Sequence, residues 1–284
     1  MQCVSGIARK QRPSLLYALL LLAACLFSPQ PACAAQVPFS VPYPLAAQRA
    51  GETPKAVMDR FLAIPYRPDG MVDDAGRYAL FASPQTTLPA PGLNCSGLVL
   101  QGARLLFARN IPFVQAIHDR LNDSGKNAPR GEDWDFGWDI VMNISEGHDR
   151  TLIAPGGDMR EFASFSGTSS PGFALHEETF WSAFLPRIKP GKLYLLSFSR
   201  HKSTTAPAHL HYHVGLLFRG KEENTPGTTA PGPAWFYHTI HNGGPARLNL
   251  ETPEGKARFA WNFRNTKNSL KRVSVIEIPM PGTI

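Results

Sequence analysis

Five runs near the end of the chain are dense in aromatic and branched residues: "GKLYLLSFSR" (Gly191–Arg200), "LHYHVGLLF" (Leu210–Phe218), "AWFYHTIH" (Ala234–His241), "ARLNLE" and "RVSVIEI". Side chains of this kind suit a pleated, half-buried surface, so the five runs predict an antiparallel meander. The preceding half reads differently. "TPKAVMDRFLAI" opens with a cap at Thr53 and a proline in its first turn, and its apolar positions Val57, Met58, Phe61 and Leu62 have helical spacing. "PYRPDG" ends that helix. Residues 67–92, rich in Pro, Gly and Asp, predict a long loop with a short helical piece around Tyr78–Phe81.

"GLNCSGLVLQGARLLF" (Gly92–Phe107) predicts a second helix capped by Asn94, with Leu98, Val99, Leu105 and Leu106 forming one buried stripe. Gly97 and Gly102 weaken such a helix, and close approach to a neighbouring sheet explains their presence. Between residues 110 and 188 the pattern predicts helices at Val114–Leu121 and near His176–Leu185. The acidic aromatic patch "EDWDFGWD" there is either a sugar-stacking surface or a segment packed on the domain. No internal repeat occurs. Helices first and strands after them give an α+β class, with a helix packed on a central antiparallel sheet.

The first residues carry a targeting signal. Arg9, Lys10 and Arg12 precede the apolar run "LLYALLLLAACLF" (Leu15–Phe27), short for a membrane span but right for a signal core. Small residues at Ala32 and Ala34 would allow cleavage before Ala35, making residues 1–34 a signal peptide. "LAAC" (Leu22–Cys25) offers the alternative of a lipid anchor at Cys25. Residues 35–50 read as a proline-rich lead-in and 51–284 as one domain. No later run is apolar enough for a transmembrane segment. Without the three leader cations the formal charge falls from +7 to +4, which suits an anionic envelope polymer and, being scattered, does not point to nucleic acid.

Of the cysteines Cys3, Cys25, Cys33 and Cys95, cleavage before Ala35 would leave only Cys95. A lone exported thiol is either buried or used. Cys95 falls at the first position of its helix, where unpaired N–H groups favour a thiolate. Alternation along "HLHYHVGLLF" places His209, His211 and His213 on one face, and a hairpin would set His238 beside His213. His241, three residues on, would point the other way. The chain thus offers a thiol, a base and a second imidazole to orient the base. Three histidines on one face also admit zinc, which would make a zinc-dependent hydrolase of the chain.

With "PYRPDG" upstream, the series "NCSGLVLQGARLLF", "PGKLYLLSF", "HVGLLF" and "FYHTIHNGGPARLNL" resembles the NlpC-type peptidases of bacterial cell walls. Their pattern runs "PYRxGG … DCSGLV … PGDLVFF … HVGIY … FIHA", and the likeness covers Pro65–Phe107 and Lys189–Leu250. The resemblance implies a papain-like fold and a cysteine peptidase or amidase acting on peptidoglycan peptides without a cofactor. It makes Cys95 the nucleophile, His213 the general base and His238 the third member, with Tyr66, Asn94 and Ser96 on the substrate side. The family's aspartate before the cysteine is Asn94 here, and its "PGD" is "PGK" with Lys192. His213 follows Cys95 by 118 positions, more than is usual in the family, which implies an insertion at about 110–188 beside the cleft. A catalytically silent wall-binding module is the non-enzymatic alternative.

Overall fold

The structure, a computed structural model, describes residues 52–122, 134–175, 180–201, 209–220, 232–266 and 270–281. Contacts divide the chain into Met1–Val37 and Pro38–Ile284, and every described residue belongs to the second unit. The signal segment, the lead-in and Cys25 therefore lie outside the described residues. No helix among the described residues is long and apolar enough to cross a membrane.

Helix α1 (Pro54–Asp59) starts as its sequence predicts, with Thr53 Oγ1 accepting from the Ala56 N–H at 3.2 Å. The segment after it is not a loop with a helical piece. It forms a three-stranded antiparallel sheet of β1 (Gly70–Val72), β2 (Tyr78–Leu80) and β3 (Ser83–Thr87). The reason is local: Asp73 Oδ1 accepts from the N–H groups of Ala75 and Arg77 at 2.9 and 2.8 Å, closing a turn that pairs β1 with β2.

Helix α2 (Cys95–Leu106) carries the predicted cap, with Asn94 Oδ1 accepting from the Gly97 N–H at 2.8 Å. Its burial is not a stripe: every residue from Ser96 to Leu106 is buried. One face meets the main sheet, while α1, β1 and α4 (Phe136–Ser145) cover the rest. Even Arg104 is inside, its guanidinium bonding Val72 O at 2.9 Å and Ile111 O at 3.0 and 2.7 Å and pairing with Asp74 at 2.5 Å. The two glycines let this helix approach its neighbours. A Cβ on Gly97 would collide with Gly70 O, and one on Gly102 would lie 2.5 Å from Leu216 Cδ1.

The main sheet joins β4 (Thr151–Ile153), β5 (Phe173–Ala174), β6 (Lys192–His201), β7 (His209–Arg219), β8 (Ala234–Ile240), β9 (Gly244–Asn249) and β10 (Leu270–Pro279). Strands β6 to β9 form the predicted meander. The last run does not extend it: helix α5 (Pro253–Asn262), which the sequence pattern did not announce, carries the chain back so that β10 pairs with β6. Both faces are covered. Leu193, Leu195, Val214, Leu216 and Tyr237 pack with α2 and α4, while Tyr194, Leu196, Phe198, Leu217 and Phe236 pack with Phe259 of α5. This accounts for the nearly unbroken apolar runs in these strands.

Residues 110–188 are part of this architecture. The helix expected at Val114–Leu121 shortens to α3 (Phe113–Ala116), with Val114 exposed. The aromatic patch becomes α4, whose Trp138 is fully buried and donates Nε1–H to Phe165 O at 2.8 Å; Trp138 is therefore core rather than a sugar platform. Phe180–Phe184 form a π-helical turn followed by a 3-10 turn at Leu185–Arg187.

Candidate active site

A cavity of about 520 Å³ opens at the start of α2. Tyr66, Asn94, Cys95, Ser96 and His213 all line it, so one wall set gathers five of the six residues singled out by sequence. Two short tethers bring Tyr66 there: Arg67 N–H donates to Leu93 O and Leu93 N–H to Pro65 O, both at 3.1 Å. Asn94 is committed to capping α2 through its side-chain oxygen, and it adds no charge to the cavity.

Cys95 is half-buried and is the one free cysteine among the described residues. Burial pushes its thiol pKa above the ordinary value. The N–H of Val214, the Ser96 hydroxyl and backbone, and the Cys95 N–H act in the opposite direction without overcoming it. The expectation that the helix start would yield a thiolate is therefore reversed: the sulfur sits too deep for its own dipole to prevail.

His213 lies in β7 with its ring among Phe198, Phe263 and His238, at centroid distances of 5.6, 5.3 and 5.3 Å. Its Nε2 meets His238 Nδ1 at 3.3 Å. This leaves Nδ1 as the ring nitrogen outside that contact. Burial first, and then the charges of His238 and Lys271, hold His213 well below the usual histidine range. His238, 3% exposed, is lowered by burial to about 4. Behind it Asn262, the last residue of α5, places Nδ2 3.5 Å from His238 Nε2. No hydrogen bond joins Cys95 to His213. At neutral pH the resting pair is accordingly a thiol and a neutral imidazole facing one cavity.

The three-histidine face does not form. Opposite β6, Phe198 pairs with His213 but Ser199 pairs with His211, so Tyr212 is an extra residue, a β-bulge. The bulge turns His211 to the α4 side of the sheet, where it is buried. There its Nδ1 meets Ser197 Oγ at 2.8 Å and its Nε2 meets Gly167 O at 2.9 Å. Since a carbonyl only accepts, Nε2 carries the proton and Nδ1 accepts from the Ser197 hydroxyl. His211 thus pins residue 167 against β7. The zinc reading loses its ligand set on this account, and the His209 side chain lies outside the described residues. His241 falls beyond the end of β8 and packs on Tyr66, with ring centroids 4.8 Å apart.

Sequence reasoning missed Asn262 and Tyr212. Asn262 belongs to a helix whose weakly amphipathic run gives little signal, and nothing in strand alternation announces a one-residue bulge. Comparison with protein-family models, with curated proteins and with solved structures finds no match.

Proposed function

We propose that this chain is an exported cysteine peptidase or amidase that hydrolyses amide bonds in the peptide stems of peptidoglycan. The observation that carries the reading is that Cys95 and His213 line one cavity while His238 meets the far nitrogen of His213 at 3.3 Å. The short motifs shared with NlpC-type enzymes supply the substrate class, and the apolar leader supplies export to the periplasm or cell envelope.

Both shifted groups favour their neutral forms, so the reaction starts from the thiol. As the sulfur attacks the amide carbonyl, His213 Nδ1 takes the thiol proton. The new C–S bond pushes the carbonyl electrons onto oxygen, where the Cys95 N–H at the open end of α2 is one donor; a donor of this kind is worth about 3–4 kcal/mol. The imidazolium then protonates the leaving amine as the C–N bond breaks. A water, deprotonated by the same nitrogen, releases the acid and restores the thiol.

Purified sacculi incubated with the protein should release muropeptides detectable by mass spectrometry. Cys95→Ala and His213→Ala should each abolish release, iodoacetamide should block it and a chelator should not. Undiminished release by Cys95→Ala would overturn the assignment. Binding to sacculi with no product from the unmodified protein would favour the silent wall-binding module instead.

A further inference from the structure

Next to the cavity the sheet carries a cluster of positive charge. Arg200 of β6 and Lys271 of β10 are direct cross-strand partners. Like charges in that relation destabilise a sheet. Both cations flank the ring of the bulge residue Tyr212, with Arg200 Cζ 5.8 Å and Lys271 Nζ 5.4 Å from its centroid. Arg264, after α5, adds a third positive charge felt at Lys271, whose pKa burial and the two arginines all push down. Among the described residues none of these three cations has a carboxylate partner.

Two polar atoms in the same place are buried and, among the described residues, unpaired: Arg200 Nε and the Tyr212 hydroxyl oxygen. An unmet buried donor carries the full penalty of its lost hydration. A fold keeps an opposed cation pair and two idle donors where a ligand completes them. Tyr212 is also the link to the chemistry, since it lines the cavity and its ring centroid is 6.4 Å from that of His213.

We propose that Arg200, Lys271 and Tyr212 form a subsite that binds a free carboxylate of the peptide substrate beside His213. The inference deepens the peptidase reading and rests on it for the identity of the ligand. A planar anion with two oxygens matches a guanidinium edge, with the ammonium and the phenol as further donors. Around His213 stand Phe198 from β6, Tyr212 from β7, His238 from β8, Phe263 after α5 and the charge of Lys271 from β10, while Cys95 shares the cavity lining. Of these only Lys271 is a fixed cation, and a carboxylate on it offsets the charge that disfavours protonated His213. Recognition of the acidic substrate and acceptance of the thiol proton are then one event.

The test uses Cys95→Ala protein and two synthetic stem peptides, alanyl-γ-glutamyl-lysyl-alanine and its twin with the glutamyl α-carboxylate converted to a carboxamide. Calorimetry should show the carboxylate form binding at least about tenfold more tightly, roughly the contribution of one charge-assisted hydrogen bond. Adding Arg200→Gln or Lys271→Gln should bring the ratio close to one. Thermal midpoints of both variants should equal or exceed that of their parent, because each removes an opposed charge. Equal affinity for the two peptides, or a ratio that survives both substitutions, would overturn the subsite. So would displacement of the peptide by inorganic phosphate at concentrations where acetate has no effect. If the ratio behaves as expected but the unmodified protein cuts neither peptide, the subsite stands and the peptidase reading falls. If the two peptides bind equally and the unmodified protein hydrolyses both at equal rates, the peptidase reading stands and the subsite falls.

Discussion

Acidification should weaken this fold through His238 by an amount that can be worked out. Burial lowers its pKa from 6.5 to about 4 in the folded chain, and an unfolded chain restores the ordinary value. Between those two values the unfolded state binds more protons, so stability is complete above about pH 6.5 and drains away as the pH falls toward 4. A shift of about 2.5 units at 1.36 kcal/mol each sets a ceiling of roughly 3 kcal/mol, of which about 2.5 is lost by pH 4.5. His213 is also lowered and adds to the loss with the same sign. His238→Asn keeps a polar atom toward His213 and removes the titration. Urea unfolding at about pH 7.5 and 4.5 would give the loss for each protein. The unmodified protein should lose about 2.5 kcal/mol more than the variant, or about 5–10 °C in thermal midpoint for a domain of this size. Equal losses in the two proteins would refute a buried neutral imidazole at this position.

Four further outcomes follow from the same geometry. Alkylation of Cys95 by iodoacetamide should accelerate with pH along an alkaline limb centred above the ordinary thiol value of about 8.5, since burial raises the thiol pKa; a reactive plateau at about pH 5–6 would demonstrate a preformed ion pair. Gly97→Ala should cost about 1–3 kcal/mol in urea unfolding because its Cβ would meet backbone at Gly70 O and lie 3.0 Å from Met71 Cα. Gly102→Ala should cost less, since Leu216 Cδ1 and Met58 Cε are side-chain ends that can swing aside. With His213 Nδ1 free to accept, its Nε2–H donates to His238 Nδ1 and His238 carries its own proton on Nε2, so Asn262 supports the pair only with its amide turned to offer Oδ1. Asn262→Ala should then slow turnover about fivefold, the worth of one neutral hydrogen bond of about 1 kcal/mol, while leaving KM unchanged; an unaltered kcat would show that His238 holds its orientation without the amide.

What sequence could reveal here tracks how local each cause is. Caps and strand composition act within a few residues, so the starts of α1 and α2 and the four meander strands are readable to within about two positions, whereas α1 ends at Asp59, five residues short of Ile64. The turn at Asp73 is equally local, but its carboxylate acts on backbone N–H groups, and a Pro- and Gly-rich stretch hides that bond behind a loop-like composition. The burial of α2 on all sides was hidden for a different reason. Arg104 and Gln101 look like a solvent face until Ile111 O, Val72 O and Asp74 gather around the guanidinium from distant segments. The same holds for the site. Residue types named Cys95, His213 and His238, whereas the direction of the thiol and imidazole pKa shifts depends on how deeply three elements bury them.

The bulge at Tyr212 shows how one residue redistributes chemistry along a strand. With strict alternation His211 and His213 would share a face. With Tyr212 inserted, Tyr212 and His213 occupy the α5 face instead, and His211 crosses to bond Ser197 and Gly167. The consequence is electrostatic as well as steric. A further imidazole beside His213, in addition to His238, would add another group able to share its proton. A phenol set between Arg200 and Lys271 adds a donor that leaves the local charge positive and uncompensated. Burial is the first cause that keeps His213 neutral, and the charges of His238 and of Lys271, which also flanks the bulge residue, add to it. Deleting Tyr212 would restore the two-residue period and carry His211 or His213 to the opposite face. The shortened protein should accordingly lose either the bond that fixes residue 167 or the His213–His238 contact at 3.3 Å, and histidine side-chain NMR would show which.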